Sequence, residues 1–258
     1  MSLGPGHERY MAPAAREALL DARVVVGYKV YLDLVSDLVR GKRVVASGMR
    51  REIERCNAAI DYALAGEDVA LVSSGDAGIY GMAGLVYDLC RERGLRPTGR
   101  ESCPDGDGDL VVEVLPGIPA FNAAASLVGA PLMHDFAAVS LSDHLTPWEV
   151  IAKRLAAAAE ADFVLAVYNP RSKTRPLLLA EACNILLRTR SPDTPVAIVR
   201  RAMREEQWTR ITSLGTIPMD EVDMQSVLIV GNSRTYVWEG RMVTPRGYLD
   251  KYAAVTES

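Results

Sequence analysis

A run of glycines between an apolar strand and an amphipathic helix most constrains how this chain folds. Residues 69–72 (Val-Ala-Leu-Val) are typical of a buried strand, and residues 82–89 have the apolar spacing of a helix. Three glycines lie between them: Gly75, Gly78 and Gly81. Glycine lets the main chain take positive φ or approach a ligand closely, and loops at the carboxyl ends of strands in open α/β sheets bind ligands. We therefore predict a ligand-binding loop, with a tight turn that needs glycine for geometry alone as the alternative.

The rest of the chain alternates apolar runs with amphipathic stretches, which is typical of an α/β fold. Its 258 residues suit one large domain or two of ordinary size. We predict two tandem α/β domains, the first with a mainly parallel sheet. The second has a mixed sheet, because residues 208–214 alternate as an exposed antiparallel strand does. The predicted divisions are residues 1–115, residues 116–245 and a tail at 246–258.

Two finer predictions concern where elements begin and end. Residues 110–115 (Leu-Val-Val-Glu-Val-Leu) predict one continuous strand. Thr146 stands before Pro147, which predicts a helix with Thr146 as its N-cap and Pro147 at the first helical position.

Composition excludes several functional classes. The net charge of -4 implies no general attraction to nucleic acid or anionic membranes. The apolar runs fall short of the roughly 20 residues that span a bilayer, and no signal-sequence pattern precedes the first motif. The four cysteines are scattered and the three histidines dispersed, which argues against a metal site or a disulfide framework. We therefore predict a cytoplasmic protein with no metal, nucleic-acid or membrane partner.

Most of the unusual residues gather in five short segments near the ends of predicted strands. These segments are residues 4–6 (G-P-G), 74–81 (S-G-D-A-G-I-Y-G), 116–120 (P-G-I-P-A), 168–171 (Y-N-P-R) and 200–203 (R-R-A-M). None matches the P-loop or the dinucleotide-binding fingerprint. If the two sheets share an orientation, we expect these loops to meet in a ligand cleft between the domains.

Positive charge is concentrated in residues 171–210, which hold nine basic residues against four acidic ones. Arg171, Lys173 and Arg175 share one loop at the end of a predicted strand. Arginine pairs bidentately with carboxylate or phosphate groups. The segment therefore predicts a polyanionic small ligand, with an ordinary solvated surface as the alternative.

The segments G-P-G, S-G-D-x-G-I-Y, P-G-I-P-A and V-Y-N-P, taken in this order and spacing, resemble the tetrapyrrole methylase family. Members of that family are S-adenosylmethionine-dependent enzymes with two α/β domains, and the match spans nearly the whole chain. Residues 24–28, 74–83, 140–151, 168–175 and 229–233 are similar to those of its precorrin-3B C17-methyltransferases. The resemblance implies methylation of C17 during cobalamin synthesis, with ring contraction to precorrin-4, on a metal-free or a cobalt-containing macrocycle.

The resemblance also implies roles for individual residues of this chain. S-adenosylmethionine, and its product S-adenosylhomocysteine, would contact Pro5, Ser74, Gly75, Asp76, Ile79, Pro119, Ala120, Tyr168, Asn169 and Ala202. The carboxylates of the tetrapyrrole would suit Arg171, Lys173, Arg175, Arg200 and Arg201. Asp76 or Asp143 would assist the proton movement that ring contraction needs. The family resemblance further implies a homodimer.

Two departures from the family pattern stand out. The family places a strand before G-P-G, and that strand is missing from this sequence. We therefore expect Pro5 to be displaced and cofactor binding to be weakened. Ala77 follows Gly75-Asp76 where many relatives have proline, so we expect a less rigid turn. Two other functions stay open: a tetrapyrrole methylase acting on a different ring carbon, and a non-catalytic nucleotide-binding module.

Overall fold

The structure is a computed structural model that describes residues 1–99, 109–172 and 176–253. The chain divides into two compact units: unit 1 is Met1–Ala120 and unit 2 is Phe121–Ser258. Residues 116–120, which the sequence assigns to the second domain, are grouped with unit 1. Within the described ranges, no helix is both long and apolar enough to cross a bilayer.

Unit 1 is built on a parallel sheet of three strands in the order β2-β1-β3. The central strand is an apolar run with Val24, Val25 and Val26 at most 1% exposed, as expected for a parallel strand covered on both faces. A separate parallel pair is formed by β4 and β5. The strands are β1 (Val24–Tyr28), β2 (Arg43–Ser47), β3 (Val69–Val72), β4 (Arg96–Thr98) and β5 (Asp109–Val111). The helices are α1 (Pro13–Asp21), α2 (Lys29–Asp33), α3 (Glu52–Leu64) and α4 (Ala83–Glu92).

Strand β5 is shorter than the sequence predicts. Its last residue is Val111, and after the bond from Val112 to the carbonyl of Thr98 the chain continues to Leu115 outside any assigned strand. Residues 109–115 line a cavity of about 490 Å³ together with β3. The predicted strand over 110–115 is therefore wrong in its carboxyl half, because open space lies where a pairing strand would be needed.

Unit 2 is built on a mixed sheet in the order β10-β9-β11-β8-β7, which confirms the predicted sheet type. Its β7 and β8 run parallel, and the other neighbours are antiparallel. A smaller sheet has the order β12-β13-β6. The strands are β6 (Gly129–Ala130), β7 (Phe136–Ser140), β8 (Val164–Tyr168), β9 (Pro195–Arg200), β10 (Trp208–Ser213), β11 (Ser226–Val230), β12 (Tyr236–Trp238) and β13 (Arg241–Val243). The helices are α5 (Ala120–Val128), α6 (Trp148–Glu160), α7 (Leu178–Leu186) and α8 (Tyr248–Ala253), the last within the predicted tail.

The start of α6 differs by one residue from its prediction. Pro147 stands in the N-cap position, and its carbonyl accepts hydrogen bonds from the N–H groups of Val150 and Ile151. The helix therefore begins at Trp148. The prediction of Thr146 as the N-cap is wrong, because the first helical carbonyl belongs to Pro147.

Candidate active site

The glycine-rich loop, residues 73–82, joins β3 to α4 in unit 1. Gly75 has a φ of 68°, and Tyr80 also lies in the left-handed region, at 53°. A Cβ on Gly81 would lie 2.4 Å from the carbonyl oxygen of Ala77, so a larger residue requires the backbone to move. A left-handed non-glycine residue costs on the order of 1–3 kcal/mol, and such residues cluster at functional sites. The strained Tyr80 therefore favours a ligand-binding loop over a plain turn.

The first residues of the chain lie alongside this loop. The N–H of Leu3 donates to the carbonyl of Ser73 at 2.8 Å, and Gly4 and Gly75 exchange main-chain hydrogen bonds of 3.1 and 2.7 Å. Pro5, the next residue, is buried. The G-P-G turn is thus attached to the glycine-rich loop. This short ladder holds Gly4 in place beside Gly75, and the displacement of Pro5 with weakened cofactor binding stays a prediction.

Ser2 joins three segments of unit 1, although the sequence pattern did not indicate it. Its hydroxyl accepts a 2.8 Å hydrogen bond from the N–H of Ala77 and donates at 2.6 Å to the carbonyl of Leu115. The residue is fully buried. A single serine two positions before G-P-G has no local signature, so only the tertiary structure identifies it.

Asp76 connects the glycine-rich loop to the P-G-I-P-A segment. Its Oδ1 accepts from the N–H of Gly78 and its Oδ2 from the N–H of Gly117, each at 2.8 Å. A Cβ on Gly117 would lie 2.6 Å from the carbonyl oxygen of Gly75. The carboxylate therefore fixes two turns at close approach. This contact indicates a positioning role, and the acid–base role of Asp76 stays a prediction.

Several predicted cofactor residues come together in unit 1. A Cβ built on Gly75 would lie 3.7 Å from the Cα of Pro119 and 3.6 Å from the nitrogen of Ala120. Ser74 and Ile79, from the same glycine-rich loop, are half-buried, as are Pro119 and Ala120. The group combines a hydroxyl, an apolar side chain and closely approached main chain.

Tyr168 and Asn169 lie at the carboxyl end of β8 in unit 2. The hydroxyl oxygen of Tyr168 accepts a 3.1 Å hydrogen bond from the N–H of Phe121. Asn169 has a φ of 50°, and its Nδ2 donates at 2.9 Å to Oγ of Ser140 at the end of β7. Ser140 also accepts from the N–H of Ser142 at 3.2 Å. Ser140 is thus a site residue that sequence reasoning missed. The sequence of residues 140–151 resembles the family, but that resemblance assigns no role to Ser140 itself.

Ala202 lies in a strained turn after β9. Arg201, Met203 and Glu206 all have positive φ, between 51° and 59°. The guanidinium of Arg201 donates to the carboxylate of Glu206, and its Nε donates to the side chain of Gln225 at 2.6 Å. Arg201 therefore stabilises this turn, and its predicted contact with substrate competes with two existing partners.

The other predicted basic residues differ in how they are held. Arg171 is half-buried and donates to the carbonyl of Met219. The guanidinium of Arg200 lies 5.5 Å from the ring centroid of Trp208, which holds it over the aromatic face. The two remaining residues of this group lie outside the described residues: Lys173 and Arg175.

The remaining candidate reactive groups are the Asp143 carboxylate, the buried thiols and any metal-binding cluster. Asp143 is exposed in the turn that follows β7. Burial raises the pKa of the Cys56 and Cys183 thiols to about 11, so both are protonated near neutral pH and poor nucleophiles. Across the part of the chain that the structure describes, no group of three or more His, Cys, Asp or Glu side chains is placed to hold a metal ion.

Comparisons with known proteins show which family this chain belongs to. The family model of the tetrapyrrole (corrin/porphyrin) methylases matches residues 1–218. The chain is 51% identical to a probable cobalt-factor III C(17)-methyltransferase of Salmonella typhimurium, over 96% of this chain and 98% of that relative. It is 39% identical to a precorrin-3B C(17)-methyltransferase of Sinorhizobium sp, over 95% and 94% of the two chains.

A solved structure has the same fold. The crystal structure of the methyltransferase CobJ superposes with a TM-score of 0.84 at 35% identity, covering 95% of this chain and 97% of that one. Some other curated relatives are longer, and this chain spans about half of their length. The family match and the nearly full-length relatives lead to one conclusion: the chain belongs to the tetrapyrrole (corrin/porphyrin) methylases.

Proposed function

We propose that this chain is an S-adenosylmethionine-dependent C-methyltransferase of cobalamin biosynthesis that methylates C17 of the contracting corrin precursor. The observation that carries the proposal is 51% identity to a probable cobalt-factor III C(17)-methyltransferase over nearly the whole of both chains. The same conclusion follows from the precorrin-3B C(17)-methyltransferase at 39% identity. The substrate is therefore a tetrapyrrole that carries several carboxylates.

The residues of unit 1 fit the cofactor. Ser74 offers a half-buried hydroxyl, and Ile79 offers an apolar side chain suited to the face of adenine. Gly75 lies close to Pro119 and Ala120, so main-chain groups from two segments are presented together. When bound, S-adenosylmethionine supplies a methyl group on a sulfonium. Pro5 and Asp76 position these segments, and Tyr168, Asn169 and Ala202 of unit 2 complete the proposed cofactor set.

Methyl transfer depends mainly on orientation. The accepting carbon must lie in line with the donor methyl at roughly 3–3.5 Å, and such positioning can supply much of the rate. Asp76 contributes by fixing the glycine-rich loop against Gly117, and Ser140 contributes by fixing Asn169. The reaction needs no protein nucleophile, in agreement with the protonated state of the Cys56 and Cys183 thiols.

The substrate carboxylates are assigned to basic residues of unit 2. Arg171, Arg200 and Arg201 supply guanidinium groups that match carboxylates in geometry, and Lys173 and Arg175 belong to the same proposal. Asp143, exposed after β7, is proposed to move a proton during ring contraction. Its replacement by asparagine should slow turnover without weakening cofactor binding.

A cobalt-containing macrocycle is favoured over a metal-free one. The relative named for cobalt-factor III is 51% identical to this chain, whereas the relative named for precorrin-3B is 39% identical. Here the cobalt belongs to the substrate. We further propose that the enzyme acts as a homodimer in the cytoplasm, where the free thiols of Cys56, Cys90 and Cys183 stay reduced.

The experiment that tests this function compares the two macrocycles directly. The purified protein is incubated with S-adenosylmethionine and either cobalt-factor III or precorrin-3B, and the products are analysed by mass spectrometry and NMR. The proposal requires the gain of one methyl group, with cobalt-factor III as the better substrate. Methylation of another ring carbon would support the alternative family member, and cofactor binding without transfer would support a nucleotide-binding module.

A further inference from the structure

Arg55 is a buried cation on the first turn of α3, with 4% of its surface exposed. Its Nε donates to Oγ of Ser47 at 2.7 Å, and its Nη2 donates to the carbonyl of Gly48 at 2.8 Å. Its Nη1 donates to the sulfur of Met82 at 3.2 Å. The guanidinium also lies 5.7 Å from the ring centroid of Tyr28. One side chain therefore joins the ends of β1 and β2 to the end of the glycine-rich loop.

All of these partners are electrically neutral. Among the described residues, no carboxylate lies within ion-pair distance of Arg55. Burial of a charge without a counter-ion is costly, and a charge at low dielectric acts over longer distances than a charge in water. The protein therefore holds a buried positive charge, with neutral hydrogen-bond partners, beneath one particular edge of the unit 1 sheet.

That edge is the one at which ligands bind in open α/β sheets. Tyr28 and Ser47 are the last residues of parallel strands β1 and β2, and Met82 ends the loop after β3. Carboxyl ends of parallel strands form the ligand-binding edge. Ser47 is half-buried, and because its oxygen accepts from Arg55, its own proton is available to an acceptor supplied by a ligand.

We propose that Arg55 is a positioning residue whose charge, relayed through the Ser47 hydroxyl, favours binding of a substrate carboxylate at the carboxyl ends of β1 and β2. The inference rests on the proposed function for the identity of the anionic substrate. It adds a contribution from unit 1 to substrate recognition, which sequence reasoning assigned to the basic residues of unit 2. Arg55 itself is too buried to touch the substrate.

The test separates substrate affinity from cofactor affinity in Arg55→Met, Arg55→Lys and Ser47→Ala. Arg190→Met is the matched control, since Arg190 is also buried and donates to the carbonyls of Gly231 and Phe163, the latter at the amino end of β8. We expect Arg55→Met to raise the KM for the tetrapyrrole by about tenfold or more, the size of one charge-assisted hydrogen bond. Its Kd for S-adenosylhomocysteine should change by less than about threefold, a small part of that effect.

The remaining variants define the outcomes. Arg55→Lys should restore part of the substrate affinity, and Ser47→Ala should raise KM in the same direction. Equal losses of substrate and cofactor affinity in Arg55→Met, or the same pattern in Arg190→Met, would overturn the proposal. If Arg55→Met does not fold, Ser47→Ala decides, and an unchanged KM in that variant rejects the relay.

A binding measurement keeps this inference separate from the proposed function. The affinities of the unmodified protein and of Arg55→Met are measured for uroporphyrin and for its methyl ester, which lacks the negative charges. The preference for the free acid is the ratio of the affinity for uroporphyrin to the affinity for its methyl ester. The inference requires this ratio to be about tenfold smaller in Arg55→Met than in the unmodified protein, even if no methyl transfer is found. An unchanged preference would contradict it, whereas absent turnover with a lost preference would count against the proposed reaction alone.

Discussion

The N–H of Gly117 donates a 2.8 Å hydrogen bond to Oδ2 of Asp76, 41 positions earlier in the chain. The other carboxylate oxygen accepts from the N–H of Gly78 at the same distance. One side chain therefore holds the glycine-rich loop against the P-G-I-P-A segment. Both segments carry residues that we propose to contact the cofactor, so the bond connects loop geometry to affinity.

Replacement of Asp76 by asparagine should weaken cofactor binding. Asparagine keeps one acceptor oxygen, so one of the two N–H groups loses its partner, at a cost of about 1–3 kcal/mol. We expect a lower free energy of unfolding and about a tenfold higher Kd for S-adenosylhomocysteine, measured by calorimetric titration. Asp88→Asn, an exposed position that pairs with Arg91, is the control. An unchanged Kd in Asp76→Asn would contradict the positioning role.

Replacement of Gly117 by alanine should destabilise unit 1. The new Cβ would lie 2.5 Å from the Cβ of Ser2 and 2.6 Å from the carbonyl oxygen of Gly75, so the two segments must separate. Overpacking of this kind costs about 1–3 kcal/mol. Gly84→Ala is the matched control because nothing lies within 4 Å of its added Cβ and it is in a helix. Urea denaturation should show a loss for Gly117→Ala and a small gain for Gly84→Ala.

Two substitutions of Asn169 separate the role of its backbone conformation from the role of its side-chain amide. Asn169→Gly accepts the φ of 50° but removes the hydrogen bond to Ser140, whereas Asn169→Ala removes the bond and adds backbone strain. We expect both to weaken S-adenosylhomocysteine binding and only alanine to lower the melting temperature clearly. If glycine restored full affinity, the amide would have no role beyond permitting the turn.

Stability should rise with pH between about 6 and 8 when the amino group of Met1 is free. Burial lowers the pKa of that ammonium from 8.0 to about 6, although nearby Asp76 opposes the shift, and the group donates to the carbonyl of Leu71 at 2.7 Å. The unfolded chain therefore binds more protons in this window, and folding is less favourable at its acidic end. The gain is at most about 2–3 kcal/mol, since Met1 is only partly buried.

Denaturation curves at pH 6, 7 and 8 measure this gain. Acetylation of the amino terminus removes the titrating group, so the acetylated protein should lose this part of the pH dependence. Identical pH profiles for the free and acetylated forms would show that the amine is hydrated in the folded state.

Local patterns predicted the parts of the fold that depend on short-range order. The strand before the glycine-rich loop, the helix after it and the antiparallel strand at Trp208 follow from periodicity. The clamp from Asp76 to Gly117 joins distant segments, so no window of sequence contains it. The buried hydroxyl of Ser2 and the neutral partners of Arg55 are equally nonlocal. The end of β5 was mispredicted because apolar character alone does not supply a pairing partner.

Methyl transfer to cobalt-factor III tests the central claim most directly. The measurement is a single-turnover assay with the purified protein and S-adenosylmethionine labelled in its methyl group, followed by mass and NMR analysis of the tetrapyrrole. We predict one labelled methyl group at C17 of a ring-contracted product. We also predict that labelling of the tetrapyrrole is suppressed when S-adenosylhomocysteine is present in excess. An unlabelled macrocycle, or a label at another carbon, would contradict the assignment.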